Sequence, residues 1–411
     1  MPQAIQCYYG EFLTSPIPLE MSLIEPCDYA CAYCFAVLSD RHQSATKGTP
    51  IRENGTTQAY KLLSNYKTRK TLEATLLQQD YPVLVSNRTD PFGMANRSAT
   101  IPLLRVMTEI GLQVAIQTKG FKKPDDMAEV LSFLPPSCWY ISIAFDNDDA
   151  RARVEPGATT LQHRLDLIST LREHGHEVVI GVNPCVPEWM PNYEAMLAEF
   201  YDRGAWGIWA ERLHLNHWQE KQLRPREKAA LGADLIVRAK KRNTTDKDFD
   251  HFLNVLIAAQ QTGLEPYSMG QPLYSNFWEP YKRLYRHTFP TLQDFINHCH
   301  ETKPDGAVIP YSEFAAWVLP HCPKCVVSAG HYIGATTRQV TREGSGGWSN
   351  QMTYDHLLKM VWSDKRIKMS PINAMPFAIA AKAGQPLQGT DGLPLLVWSP
   401  DGHDSNYAEV E

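Results

Sequence analysis

The 411-residue chain lacks three things that would have placed it quickly. It has no apolar run near the roughly 18 residues a membrane span requires. Its longest pieces, such as Val255-Leu256-Ile257-Ala258-Ala259, are short. Its start, MPQAIQCYYGEF, carries no basic end followed by an apolar stretch, so no export signal is expected and a cytoplasmic location is. Charge of one sign is also missing: 40 Lys+Arg stand against 45 Asp+Glu, a net of -5. That balance gives no whole-molecule attraction to nucleic acid or to an anionic membrane, although local basic patches remain open. With 43% hydrophobic and 21% charged residues, the composition excludes a fibre and a mainly disordered chain. Nine cysteines, an odd number without an export signal, argue against a disulfide framework.

What is present is a cluster of cysteines. Three fall inside eight residues, Cys27-Asp-Tyr-Ala-Cys31-Ala-Tyr-Cys34, and the others are Cys7, Cys138, Cys185, Cys299, Cys322 and Cys325. Three thiols this close cannot all pair with one another, and loops of two or three residues between thiols suit a metal centre. A buried, purely structural role is the bland alternative. Zinc is a second competitor, but it usually takes four ligands and no fourth is adjacent. Three thiolates on a cube of four irons leave one iron open to a chelating ligand.

The next 180 residues alternate apolar, β-rich segments with helical patterns. Strands are expected at 82–86, 112–117, 139–145, 177–183 and 205–210, after a first strand near Met21-Ser-Leu-Ile24. Helices are expected at about 57–78, 98–110, 123–134, 158–175 and 190–203. Six strands alternating with helices predict an α/β fold with a parallel sheet, whose sites lie at the strands' C-terminal ends. The cysteine loop stands at such an end. So do Ser86-Asn87-Arg88-Thr89-Asp90-Pro91, Thr118-Lys119-Gly120, Ser142 with Asp146-Asn147, Glu155-Pro-Gly157 and Asn183-Pro184-Cys185. Each alone reads as a turn or cap.

The C-x-x-x-C-x-x-C spacing with Tyr33 before its last cysteine resembles the radical S-adenosylmethionine (SAM) superfamily. Together with S-N-x-T-D-P, T-K, S-I, E-P-G, Arg164-Leu165, His174-Gly175 and a late V-x-P-x-x-P, it resembles that superfamily's spore photoproduct lyase-like branch, over about residues 20–200. The resemblance implies a partial (β/α)6 barrel of the TIM type with a mostly helical C-terminal region. Cys27, Cys31 and Cys34 would hold a 4Fe–4S cluster whose fourth iron is chelated by SAM. Tyr33 would lie against the adenine, Ser86 and Asn87 at the methionyl end or ribose, Lys119 on the SAM carboxylate, and Ser142 at the ribose. SAM would be cleaved reductively to a 5′-deoxyadenosyl radical that takes hydrogen from an organic substrate, with a nucleobase or nucleic acid as the substrate class. A one-electron donor such as flavodoxin or ferredoxin would be the partner. The photoproduct-repairing members use a cysteine near the second strand end to return a hydrogen atom. Here no cysteine lies between Cys34 and Cys138, which leaves Cys138 and Cys185 as hydrogen-donor candidates and argues against photoproduct repair itself.

The remainder reads as a helical cap or substrate region over 216–345, following a barrel at 1–215, and a helix with an irregular tail over 346–411. Helices are expected at 225–242, 246–262 and 352–363. Arg224, Arg226, Lys240, Lys241, Arg242, Lys282, Arg283 and Arg286 interleave with Trp218, Tyr274, Phe277, Trp278, Tyr281 and Tyr285. That mixture fits either a nucleic-acid stacking surface or a packed cap. Cys322-Pro-Lys-Cys325 and Cys299, flanked by His298, His300 and His321, form a second cluster that could hold zinc or an auxiliary Fe–S cluster. Two rival readings therefore stand beside the first: a peptide-modifying enzyme of the same superfamily with that auxiliary cluster, and a non-catalytic metal-stabilised nucleic-acid-binding protein. Glu343-Gly-Ser-Gly-Gly347 lacks the Lys-Ser/Thr of a phosphate-binding loop.

Overall fold

The computed structural model describes residues 5–7, 12–23, 27–47, 55–240, 247–269, 273–323, 353–364 and 370–410. The chain divides into two units, one built from 1–6, 20–65 and 83–267, the other from 7–19, 66–82 and 268–411.

An eight-stranded sheet runs in the order β1 (Ile5–Cys7), β2 (Leu19–Met21), β3 (Val83–Val85), β4 (Val114–Thr118), β5 (Cys138–Ser142), β6 (Glu177–Cys185), β7 (Gly207–Arg212) and β8 (Glu265–Tyr267). From β3 to β8 every neighbouring pair is parallel. Spatial order follows chain order, as strand–helix–strand crossovers of one hand require. Among the described residues the path ends at β8 without returning to β1, the partial-barrel arrangement that the resemblance implied. Val83–Val85 and Cys138–Ser142 are buried throughout, as strands covered on both faces must be.

The helices bury one stripe each. Helix α4 (Arg97–Glu109) buries Thr100, Leu103, Leu104 and Met107, and α7 (Leu161–Glu173) buries Arg164, Ile168 and Leu171, both at three- and four-residue spacing. Helix α8 spans Tyr193–Asp202. Sidedness is the same for α12 (Lys247–Thr262), whose Phe252, Val255, Leu256 and Ala259 are buried.

Several boundaries differ from expectation. The stretch 57–78 is two helices, Gly55–Leu63 and Leu72–Gln78, because Thr71 caps the second by accepting from Ala74 N at 3.3 Å. Residues 225–242 likewise break into Pro225–Leu231 and Ala233–Lys240, at Gly232 with φ +82°. The strand–helix rhythm continues past 215, since α12 leads into a seventh parallel-type strand, β8, hidden in sequence by its brevity and by Pro266.

The second unit is not helical alone. Phe377–Lys382 pairs antiparallel with Gln385–Pro386 and Leu396–Trp398, and parallel with Tyr407–Glu409. An irregular tail was expected from its Gly, Pro and Asp content. The chain instead turns back at Ala383 (φ 51°) and Gly384 (φ 75°), the two positive φ values a tight two-residue hairpin needs. Phe295, Phe314, Trp362, Phe377 and Trp398 are the core of this unit, with ring centroids 4.9–5.9 Å apart along the chain of contacts.

No helix among the described residues is long and apolar enough to cross a membrane. Removing a central sheet side chain tests the core directly. Ile180→Ala in β6, where Ile180 is 0% exposed, is expected to cost about 2 to 5 kcal/mol in urea denaturation of the whole chain.

Candidate active site at the strand ends

Cys27, Cys31 and Cys34 lie on one loop that enters α1 (Phe35–Lys47). Leu38 N donates to Cys34 O at 3.1 Å, so Cys34 occupies the cap of that helix, where the helix dipole favours a thiolate. The loop is fixed on several sides. Ala32 N donates to Val154 O at 2.9 Å, Gly157 N to Tyr29 O at 3.0 Å, and Tyr29 OH to Gly120 O at 2.8 Å. Asp28 accepts from Met94 N at 3.0 Å. A side chain at Gly157 is impossible without movement, since a Cβ there would lie 2.4 Å from Asp28 O.

The three thiols are close enough for charge on one to raise the others. Burial, with Asp90 nearby, pushes Cys27 up to about 12, and burial with Glu155 nearby pushes Cys31 well up. Such thiols ionise when a cation arrives, since ligand thiolates exchange a proton for the metal. Among the described residues no three His, Cys, Asp or Glu side chains stand together as a ready mononuclear ion site. The donor set, three thiols with no fourth cysteine in the loop and with Asp28 engaged by Met94 N, fits a cluster with one open corner.

Beneath the loop lies Glu155, 0% exposed. It follows α6 (Asp148–Val154), and Pro156 turns it out of helical geometry, to φ -126° and ψ 60°. Its Oε2 accepts from Arg164 Nη2 at 2.6 Å and its Oε1 from Lys119 Nζ at 2.7 Å, and Tyr33 OH also donates to Oε1. Arg164 in turn donates to Ser142 O at 2.7 Å and Thr159 O at 3.0 Å. Lys119 Nζ also reaches Ser142 Oγ at 2.7 Å and Tyr33 OH at 3.1 Å. Burial opposes the charge on Glu155, but Arg164 and Lys119 override it and hold the carboxyl down to about 2.

Asp90 ties the neighbouring strand end. Its carboxylate accepts from Lys119 N at 2.7 Å, Phe92 N at 3.0 Å and Thr118 Oγ1 at 3.0 Å. An aromatic wall closes the other side of Tyr33, with Trp189 at 5.6 Å and Phe145 a further 5.2 Å from Trp189.

The residues expected to bind a cofactor therefore fall into two groups. Tyr33, Lys119 and Ser142 form one hydrogen-bonded set with Glu155 and Arg164. Ser86 and Asn87 stand apart from it. Ser86 Oγ lies 3.2 Å from both Ser22 Oγ and Thr89 Oγ1, and Asn87 Nδ2 donates to Glu20 at 3.1 Å. Glu155, Arg164 and Asp90 carry no role in the sequence reading. A signal existed for Arg164, a charged residue on the apolar stripe of α7.

Of the hydrogen-donor candidates, Cys138 opens β5, four residues before Ser142 and so about 13 Å away along the strand. Cys185 ends β6, on the side of the cysteine loop, where burial and Asp248 push it up to about 12. Cys325 lies outside the described residues, as does the Gly-rich 343–347 segment. Cys299 is buried on Leu292–Thr302, where burial and Glu313 push it up to about 12, and Cys322 Sγ donates to Val318 O at 3.6 Å. His298 and His300 diverge from Cys299, as consecutive helical residues do, and pack on Trp317 and Trp398.

Of the two alternatives for the interleaved basic and aromatic residues, a stacking surface or a packed cap, most of the rings follow the second. Phe277, Trp278, Tyr281 and Tyr285 are buried; Tyr281 lies in the short helix Glu279–Leu284 and Trp278 and Tyr285 cap it. The basic residues among them are paired, Lys282 with Asp294 and Arg286 with Asp80.

No family model matches the chain. Proteins of Mycobacterium tuberculosis and Mycobacterium bovis, each described only as an uncharacterized protein, are 28% identical over 197 residues. That match covers 46% of this chain, and the chain spans about half, 56%, of the length of these curated relatives. Among solved structures, a spore photoproduct lyase mutant resembles it at TM-score 0.40 and 13% identity, over 61% of this chain and 76% of that one. Spore photoproduct lyase complexed with dinucleoside spore photoproduct gives TM-score 0.37 and 13% identity, over 56% and 63%. Streptococcus suis SuiB bound to S-adenosylmethionine gives 0.38 and 10%, over 67% and 52%. These likenesses are too distant to transfer chemistry.

Arg164→Met would leave Glu155 buried with one partner fewer and is expected to cost about 3 to 5 kcal/mol. Adding Glu155→Gln should restore part of the loss, a non-additivity that urea denaturation of the two singles and the double measures. Glu155 also predicts a pH dependence. Its folded value, about 2, lies below the ordinary glutamate value of 4.5, so its contribution is complete above about 4.5 and is lost as pH falls toward 2. The stability gap between wild type and Glu155→Gln should narrow over that window and stay constant from pH 5 to 7.

Proposed function

We propose that this chain is a radical SAM enzyme, one that cleaves SAM reductively and takes hydrogen from an organic substrate. The observation that carries the reading is the union of three thiols, on a loop at the sheet's C-terminal edge, with the hydrogen-bonded Tyr33–Glu155–Lys119–Ser142 set beneath them. Cys27, Cys31 and Cys34 would hold a 4Fe–4S cluster. When bound, it would supply the electron that breaks the sulfonium bond of SAM, giving the 5′-deoxyadenosyl radical.

The chain's own work is placement and exclusion. Tyr33 is held by its hydroxyl on Glu155 and by its ring on Trp189, which fixes the loop between Cys31 and Cys34. Lys119 and Ser142 present an ammonium and a hydroxyl at adjacent strand ends, suited to the carboxylate and ribose of SAM. The three hydrogens of the Lys119 ammonium already meet Glu155, Ser142 and Tyr33, so an incoming carboxylate exchanges with one of them. Phe145 and Trp189 keep water from the loop's inner side, as radical chemistry requires. A one-electron donor of the flavodoxin or ferredoxin kind would be the partner. The substrate class we favour is a nucleobase-bearing molecule.

Anaerobic reconstitution with iron and sulfide tests the reading. We expect about four iron atoms per chain, and 5′-deoxyadenosine when SAM and dithionite are added. Cys31→Ala should lose both. Iron near zero, or a loaded cluster that never cleaves SAM, would overturn it, the latter in favour of a metal-stabilised binding protein. About eight irons would instead point to an auxiliary cluster and the peptide-modifying reading.

A further inference from the structure

From Cys27 to Cys34 the exposed residues are Asp28 and Ala30, so the cysteine loop reaches the surface in its first half. Ala30 stands at φ 51° and adjoins Cys31, with consecutive Cα atoms about 3.8 Å apart. A protein seated on Ala30 is therefore one residue away from a thiol of the loop.

The surroundings of this stretch are apolar and positive. Met94, whose N–H donates to Asp28, is 50% exposed, and Phe35, directly after Cys34, is 51% exposed. Lys122 holds its ammonium 5.2 Å from the centroid of the Tyr29 ring. Lys123 follows it, exposed, and Arg153, also exposed, precedes Val154, whose carbonyl accepts from Ala32 N. Among the described residues neither Lys123 nor Arg153 enters an ion pair. Other surface cations of this unit are taken up, Arg105 by Glu129, Arg203 by Asp166 and Lys247 by Glu188. The nearby carboxylates do not supply the missing partners. Asp28 accepts from Met94 N at 3.0 Å, and Asp125 stands in the first turn of Pro124–Phe133, where the helix dipole offsets its charge.

A single exposed thioether or ring needs no explanation, but two beside one loop, rimmed by cations without partners, mark an interaction surface. Its size selects the partner. Gripping a nucleic acid by its backbone takes about 6 to 10 phosphate contacts, more than three cations supply. Electron-transfer encounters are small and brief, and opposite charge serves them by speeding association.

We propose that this outer face of the cysteine loop docks an acidic one-electron carrier protein. Ala30, Met94 and Phe35 form its apolar centre, and Lys122, Lys123 and Arg153 meet the carrier's carboxylates. This rests on the radical SAM reading and gives its electron donor a place and a charge. One electron leaves the reduced carrier for the cluster that the loop would hold, so the carrier is oxidised by one electron and no bond forms or breaks.

Calorimetric titration of the full chain, before any iron is added, with a flavodoxin tests the surface by itself. We expect a complex that weakens as salt rises from about 50 to about 500 mM, because the charges are exposed. Lys123→Glu combined with Arg153→Glu should weaken it at least roughly tenfold, and the corresponding Gln pair less. Met94→Ser should also weaken it, whereas Lys61→Glu, on Gly55–Leu63, should leave it unchanged. On the iron-loaded chain the Glu pair should slow reduction by flavodoxin at least roughly tenfold, while dithionite, which needs no docking, keeps its rate. Absence of a complex, equal binding by the Glu pair, or equal slowing with dithionite would overturn the proposal. So would an oligonucleotide that displaces flavodoxin and loses affinity in the same pair, since the face would then belong to nucleic acid. A charge-dependent complex on a chain that takes up no iron keeps the surface and sinks the radical reading. A loaded chain that cleaves SAM with dithionite yet binds no flavodoxin does the reverse.

Discussion

One carboxylate, wholly removed from water, connects the sheet to the loop that carries the cysteines. Glu155 is shared between Arg164 of α7, Lys119 after β4 and Tyr33 between the last two cysteines. A lone buried charge would be costly, and here each oxygen has a cationic partner within 2.7 Å. The arrangement converts an unfavourable burial into a geometric constraint. Wherever Glu155 sits, the hydroxyl of Tyr33, the ammonium of Lys119 and the guanidinium of Arg164 must converge. Pro156 and Gly157 hold it there, the first by ending the helix and the second by letting Asp28 and Tyr29 approach the backbone closely.

That constraint explains why the strand ends act together although they are far apart in sequence. Asp90 binds β3's exit to the backbone of Lys119, Arg164 binds the carbonyl of Ser142, and Gly157 binds Tyr29. The three free thiols are carried on that base. Rigid support of this kind is what a cluster with an open corner needs.

Much of this was legible before any coordinates. The cysteine spacing, the alternating strands and the placing of polar residues at strand ends follow from local pattern. Lys119, Tyr33 and Ser142 proved to be neighbours because parallel strands bring equivalent ends together. What stayed hidden has physical causes. Glu155 looks like the end of a helix until tertiary pairing shows it buried, and Arg164 is marked only by its place on the apolar stripe of its helix. β8 is three residues with a central proline, too short for periodicity to register. The aromatics from Phe277 to Tyr285 alternate with basic residues in sequence, yet in the fold the rings are buried and the charges exposed. In the second unit, a tail rich in turn formers becomes a sheet because Ala383 and Gly384 can adopt the positive φ of a hairpin.

On the reading proposed above, the cysteine loop would hold a 4Fe–4S cluster with one iron open to SAM. Electron paramagnetic resonance of the anaerobically loaded, dithionite-reduced chain tests it most directly, recorded with and without SAM. We predict the signal of a reduced 4Fe–4S cluster whose g-values shift when SAM is added, because the ligand binds the open iron itself. A signal that SAM leaves unchanged, or one that survives in Cys31→Ala, would contradict the account.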